Sequence, residues 1–371
     1  MKKFQQILTL ALSLGFLAVF SAWFLIAPDA EESTVERRRL AKRPALSFSS
    51  VTNGSFMNGF EKYMLDQFPL RNGFRGLKAA VNAKVFMKKD NNGLYSVGEH
   101  LSKLDFPTDA ESVDHAARCF RYVYDMYLRN AGTKTYLSVI PDKNTFIASQ
   151  NGYPDKDYKA LTERLRSGFP EAKYIDISGL LSADDFYYTD SHWRQERITK
   201  VADEIAAQMG AERIGTCEIQ DTGRPFYGVY YGQAALPHAP ERLFYLDNAV
   251  IRGLQVYSVE TSSDIPVYDL GAAAGRDPYE MFLGGARSII RITNPNAAQE
   301  RRLIIFRDSF GSSIAPLLAA GYSEITLVDI RYISPLSLGK LIDFTKADDA
   351  LFLYSASVIN NSETIKGTSK N

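Results

Sequence analysis

Leu303-Ile304-Ile305-Phe306-Arg307-Asp308-Ser309-Phe310-Gly311-Ser312-Ser313 is the stretch that decides the fold. Its first four residues form an unbroken apolar run, as expected of a strand buried on both faces. The small and apolar residues that follow predict a helix over Gly311–Ala320. Strand, tight turn and helix make the repeating unit of an open α/β sheet, and sites in such sheets form in the crevice beyond the carboxyl ends of the strands. Ser309 stands there. Gly311, Ser312 and Ser313 permit close approach, and amides at the start of the next helix can stabilise an oxyanion. A serine at a strand-to-helix turn can equally be a helix cap, so position alone leaves both readings open.

The same rhythm extends outward. Downstream, Ile325–Ile330 reads as a strand, Ser337–Thr345 as a helix and Ala350–Tyr354 as a strand. Upstream, Thr108 and Glu111 resemble a capping box that opens a helix running to Ala131, with Val113, Ala117, Phe120, Tyr124 and Tyr127 on one face and Gly132 at its end. A strand over Tyr136–Ile140, a helix over Tyr158–Ser167, a strand over Tyr174–Ile177 and a helix over Gln195–Met209, stopped by Gly210, continue the alternation that parallel sheets require. The expected fold class is α/β, a doubly wound and mainly parallel sheet. From about 215 to 296 the texture shifts to Tyr, Gly and Thr with short alternating runs such as Val256–Val259, which predicts a β-rich insertion of antiparallel hairpins. Between Phe56 and Met87, apolar residues recur at helical spacing (Phe60, Met64, Phe68, then Phe74, Leu77, Val81, Val85), and Pro69 breaks them into two amphipathic helices.

At the N-terminus no charged residue occurs from Phe4 to Pro28, and the apolar stretch Ile7–Ala27 is 21 residues long. That is close to the roughly 20 residues needed to span a bilayer, whereas the apolar core of a cleaved signal peptide is about 7–15 residues. The reading is an uncleaved transmembrane anchor, residues 1–28. Lys2 and Lys3 favour a cytoplasmic N-terminus, while Arg37, Arg38, Arg39, Lys42 and Arg43 weigh the other way from beyond the span. A tether over 29–54, charged and then rich in Ser and Pro, and an ectodomain over 55–371 follow. Forty-three basic and 43 acidic residues in a chain of 371 exclude the broad basic surface that nucleic acid or acidic lipid selects. Cys119 and Cys217 have no metal-like spacing, and Cys119 reads as a buried helix residue rather than half of a disulfide.

The second chemical element is Tyr187-Tyr188-Thr189-Asp190-Ser191-His192-Trp193. A carboxylate two positions from an imidazole can hold the tautomer whose Nε2 takes a proton from a serine. The other histidines, His100, His115 and His238, lack an acid in such a setting. A loop histidine or a metal ligand is the plainer alternative, but no second His or Cys cluster completes a metal site, so no metal and no cofactor are expected. With Ser309, the pair points to a serine acyl-ester enzyme.

Several blocks together resemble the DHHW family of bacterial surface proteins, relatives of the alginate O-acetyltransferases in the SGNH hydrolase-like group. They are Glu36-Arg37-Arg38-Arg39-Leu40-Ala41, Asp66-Gln67-Phe68-Pro69-Leu70-Arg71, Asn92-Gly93-Leu94-Tyr95, Pro141-Asp142-Lys143, Thr189-Asp190-Ser191-His192-Trp193, Tyr279 with Phe282-Leu283-Gly284-Gly285, Asp308-Ser309-Phe310 and Asp329-Ile330-Arg331-Tyr332. Their order implies an SGNH-like fold and a permuted triad in which Asp190 and His192 precede Ser309. Ser191 replaces the first His of the family's Asp-His-His-Trp, and Ala286 stands where Asn often follows Gly-Gly, removing a candidate oxyanion donor. The resemblance implies that Ser309 carries an acyl group to a polysaccharide hydroxyl outside the cytoplasm, with a membrane-bound O-acyltransferase as acetyl supplier. Lys143, Tyr188, Trp193 and Arg331 are the candidates for lining the acceptor groove; Arg331 could instead pair with Asp329 or Asp308. An esterase using water, and a non-catalytic polysaccharide-binding or assembly protein, are the alternatives.

Overall fold

The computed structural model describes residues 2–367; residues 1 and 368–371, the outermost positions of the expected anchor and ectodomain, lie outside the described residues. The chain divides into one unit of residues 1–92 and 231–237 and a second of 93–230 and 238–371.

In the first unit α1 (Lys2–Ile26) has no buried residue and is long and apolar enough to cross a membrane. No proline occurs before Pro28, so nothing breaks the hydrogen-bond ladder of this helix. A minimal antiparallel pair, β1 (Glu32–Ser33) and β2 (Arg38–Arg39), follows, then α2 (Phe48–Thr52), α3 (Ser55–Gln67) and α4 (Arg71–Lys84). The break between α3 and α4 falls at Pro69 as read from the sequence: Phe68 takes the extended backbone that a residue before proline prefers. The 29–54 stretch, expected as a tether, is instead folded into this unit. Asp66 accepts from the Arg38 guanidinium and from the Ala41 amide at 2.8 Å, and Glu36 pairs with Arg71 and, at 3.2 Å, with Arg75. The Arg38 pairing holds the Asp66 carboxyl below its usual range. Ion pairs leave no periodic trace in a sequence, so this order was not legible there.

The second unit is built on one eight-stranded sheet. With β3 (Leu94–Val97), β4 (His100–Lys103), β5 (Lys134–Ile140), β6 (Lys173–Tyr174), β7 (Glu218–Phe226), β8 (Glu241–Asp247), β9 (Gln255–Ser258), β10 (Ser263–Ile265), β11 (Ile289–Thr293), β12 (Arg302–Arg307), β13 (Glu324–Val328) and β14 (Asp349–Ser355), the order is β10-β9-β11-β13-β12-β14-β5-β6. The run from β13 to β6 is parallel, and β12 lies between β13 and β14. Alternate residues of β12 enter opposite cores. Leu303 and Ile305 pack with Val201, Ala202 and Ile205 of α7 (Thr199–Met209), whereas Ile304 and Phe306 pack with Val113 and Phe120 of α5 (Ala110–Val123) and Leu161 and Leu165 of α6 (Tyr158–Gly168). Burial on both faces explains the unbroken apolar run. The doubly wound α/β fold stands as expected.

Several local expectations are corrected. β9, β10 and β11 are not an insertion but an antiparallel extension of the main sheet beyond β13; within the 215–296 stretch, β7 and β8 pair as a separate hairpin. Asp109 rather than Thr108 caps α5, accepting from the Glu111 and Ser112 amides. After Ser309 the α-helix spans only Gly311–Ile314 and continues as a 3-10 turn over Ala315–Gly321, because Pro316 has no N–H to donate. The expected Ser337–Thr345 helix is two short turns, Pro335–Leu338 and Phe344–Lys346. Both cysteines are free, and burial pushes the Cys119 thiol up to about 11.

Candidate active site

The carboxyl end of β12 carries a turn with little freedom. The Asp308 carboxylate accepts from the Phe310 amide at 3.0 Å and from the amide of Ser355, the last residue of β14, at 2.8 Å. It therefore ties the turn to the neighbouring strand. Gly311 is required by close approach: a Cβ there would lie 2.6 Å from Cβ of Arg307. The amides of Phe310, Gly311 and Ser312 are all engaged within the turn, the last two with the carbonyls of Asp308 and Ser309. Among the described residues the Ser309 amide makes no such bond, so it, rather than the helix start as a whole, is the donor this turn offers to an oxyanion.

Asp190 and His192 lie on a segment, residues 187–193, with neither helix nor strand; one bridge, Phe186 to Trp193, closes it. His192 Nε2 is 2.7 Å from Ser309 Oγ, and His192 Nδ1 is 2.7 Å from Asp190 Oδ1. Asp190 is buried; its Oδ1 also accepts from the His192 amide at 3.1 Å and its Oδ2 from the Val229 amide at 2.9 Å. The imidazole lies flat on Tyr279, with ring centroids 3.9 Å apart and planes 13° from parallel. This packing leaves the ring little room to rotate. Gly228 makes the approach of the Val229 segment possible, since a Cβ would fall 2.0 Å from the Thr189 carbonyl oxygen.

The irregular segment is held by two buried charges. Lys143 Nζ donates to the carbonyls of Tyr187, Tyr188 and Asp190 at 2.7, 2.9 and 3.0 Å. Three acceptors use all three hydrogens of an ammonium. On the amide side, the Glu241 carboxylate accepts from the backbone N–H of Tyr188 and Thr189 and from the Thr189 hydroxyl, at 2.6, 2.8 and 2.8 Å. Burial pushes the Lys143 pKa down to about 7, against the attraction of Glu241 and Asp190.

A third tie joins the two halves. Ser313 Oγ accepts from Trp193 Nε1 and from the Tyr279 hydroxyl, both at 2.8 Å, and donates to the Phe310 carbonyl at 3.3 Å. Gln195 Nε2 adds a bond to the Ser313 carbonyl at 2.7 Å.

The residues expected in an acceptor groove thus divide. Lys143 and Trp193 are buried, with their polar atoms spent on the protein, so neither lines a groove; both position the Asp190–His192 segment. Arg331 makes a two-pronged pair with Asp329, at 2.9 and 2.7 Å, which is the alternative weighed for it above. Tyr188 remains half-buried, edge-on to His100. Glu241 and Ser313 were not found from sequence, because neither stands in a pattern that marks its partner. Ala286 is exposed and follows Gly284 and Gly285, whose φ values of +68° and +76° suit glycine.

Fold and site together define an α/β protein with a serine, histidine and aspartate in hydrogen-bonded line at the end of a central strand. A DHHW family protein from Eubacterium siraeum has a similar structure, with a TM-score of 0.58 and 17% identity over 76% of this chain and 98% of that one. PatB1 of Bacillus cereus, solved with a sulfonyl adduct, is similar at a TM-score of 0.57 and 17% identity over 72% of this chain and 97% of its own. At such identity the likeness is one of fold, and it agrees with the resemblance read from the sequence blocks. By sequence the chain matches no family model and no curated protein.

Proposed function

We propose that the protein is an extracytoplasmic serine O-acetyltransferase of a polysaccharide, anchored by α1. The observation that carries this reading is the line Asp190–His192–Ser309, with 2.7 Å at each step. As Ser309 Oγ attacks the donor's acyl carbon, His192 Nε2 takes its proton, and the developing imidazolium is stabilised by Asp190. The donor's oxygen leaves with the proton that His192 returns, and an acyl-serine remains. A sugar hydroxyl then gives its proton to His192, attacks the ester and leaves as the O-acetylated product, while Ser309 recovers its hydrogen. The oxyanion of both steps faces the Ser309 amide. Acetyl-coenzyme A is cytoplasmic, so an outward-facing enzyme needs a membrane-bound O-acyltransferase to pass acetyl across.

The test is acetyl release from p-nitrophenyl acetate and acetylation of added oligosaccharide, with labelling of Ser309 by a sulfonyl fluoride followed by mass spectrometry. Both activities and the label are expected to vanish in Ser309→Ala. Acceptor sugar that suppresses hydrolysis supports transfer; hydrolysis indifferent to acceptor makes the protein an esterase. Activity surviving in Ser309→Ala would overturn the reading.

A further inference from the structure

α4 is amphipathic in the wrong sense for a helix of a water-soluble body. Three of its polar side chains turn inward: Arg71 and Arg75 pair with Glu36, Arg75 also donates to the Gly232 carbonyl at 2.7 Å, and Asn82 donates to Asn91 at 2.9 Å. The apolar stripe turns outward instead. Leu70 and Leu77 are each 59% exposed, and the chain just beyond the helix leaves Val85, Phe86 and Met87 between 65% and 76% exposed. On α3 the same is true of Met57, Met64 and Leu65, while Asp66 faces inward. A soluble fold buries such a stripe.

The packing of α1 says what covers it. Phe20 of α1 stacks on Phe68 at 5.5 Å and meets Phe74 edge-on at 5.6 Å, and Phe24 packs on Tyr63 at 5.4 Å. Phe20 lies six residues before the end of α1, about 9 Å along the axis at 1.5 Å per residue. If α1 spans a bilayer, side chains that pack on Phe20 lie below the membrane surface, within the depth of about 5–10 Å that interfacial helices reach. Charge agrees: residues 71–89 carry six basic and no acidic side chains within a chain of zero net charge, and Lys84, Lys88 and Lys89 are exposed. Lysines beside an outward apolar stripe suit headgroup phosphates.

We propose that α3, α4 and the Val85–Met87 segment lie in the interface of the membrane that α1 enters, with the exposed apolar stripe among the acyl chains and the lysines at the phosphates. The proposal rests on the anchoring role of α1 stated above, and the experiment separates the two. Full-length protein with Cys217→Ser is reconstituted in phosphatidylethanolamine–phosphatidylglycerol vesicles. Spin labels are placed singly, as Leu77→Cys, Phe86→Cys, Leu14→Cys in α1 and Lys340→Cys in the second unit. Accessibility to oxygen against a water-soluble nickel chelate gives each depth. Labels at Leu77 and Phe86 are expected about 5–10 Å below the phosphates, that at Leu14 deeper, and that at Lys340 in water. A membrane-buried Leu14 label with Leu77 and Phe86 in water overturns the proposal and leaves the anchor standing. A water-exposed Leu14 label overturns both. Leu77 labels shielded from oxygen and nickel alike, with coupling between copies, would assign the stripe to a second chain and also overturn the proposal.

Discussion

Ser309 stands at the end of β12, where two parallel neighbours fix the strand and the Asp308 carboxylate fixes the turn. Asp190 and His192 ride a segment without helix or strand, and there the backbone's own hydrogen bonds are largely replaced by side chains: Lys143 on three carbonyls, Glu241 on two amides and a hydroxyl. The two halves meet at the same tolerance, one hydrogen bond long, but by different means. Secondary structure supplies order on the serine side, and a pair of opposite buried charges supplies it on the histidine side. A buried charge that loses its partner is costly, so the second arrangement is the more fragile.

The comparison can be broken from either side. Removing the nucleophile in Ser309→Ala is expected to lower kcat for ester turnover by about 10⁴-fold or more, with an unchanged unfolding midpoint because Ser309 is half-exposed and holds no strand. Asp190→Asn should cost about 10³–10⁴-fold by offering His192 an amide in place of the carboxylate that fixes its tautomer; a smaller loss would show that Tyr279 stacking alone fixes the ring. Lys143→Met strips the Tyr187 and Asp190 carbonyls of their donor, leaves that of Tyr188 with the Leu101 amide alone, and removes the positive charge that attracts Glu241, so it should cost about 3–5 kcal/mol in urea unfolding and at least about tenfold in kcat. Wild-type kcat in a folded Lys143→Met protein would refute the clamp. Tyr279→Phe keeps the stack but loses the hydroxyl on Ser313, for about 1 kcal/mol and less than about tenfold in rate.

pH sharpens the contrast further. Burial lowers the Lys143 pKa to about 7 in the folded protein, while an unfolded lysine titrates near about 10.4. Between those values the unfolded chain holds a proton that the folded one has released, so this group makes stability rise with pH. The stability difference between wild type and Lys143→Met should therefore widen from pH 7 to 10, by at most about 1.4 kcal/mol per unit. A flat difference would mean that the three carbonyls keep the ammonium charged throughout.

The serine half was legible because a two-faced strand leaves an unbroken apolar run and small residues mark the turn. Asp190 and His192 were legible from their spacing. Residue type did not say which way a side chain points, and so Lys143 and Trp193, whose chemistry suits a sugar, were placed in a groove that their burial excludes. Glu241 sits on β8, some 50 positions from the backbone it holds, with no local pattern to betray it. The sheet's antiparallel edge was misplaced for a related reason: β9 to β11 read as hairpins, and a hairpin pattern does not say which strand its outer edge will join.

Ser313 and its partners have a further consequence in time. Trp193 and Ser313 are 120 positions apart in the chain, and His192 and Ser309 are 117 apart. Loops of this length close late, and these bonds cannot form before β12 has docked beside its neighbours. On the proposed function, ester turnover would serve as a clock for the final step of folding, and a half-folded chain, however collapsed, would be chemically silent.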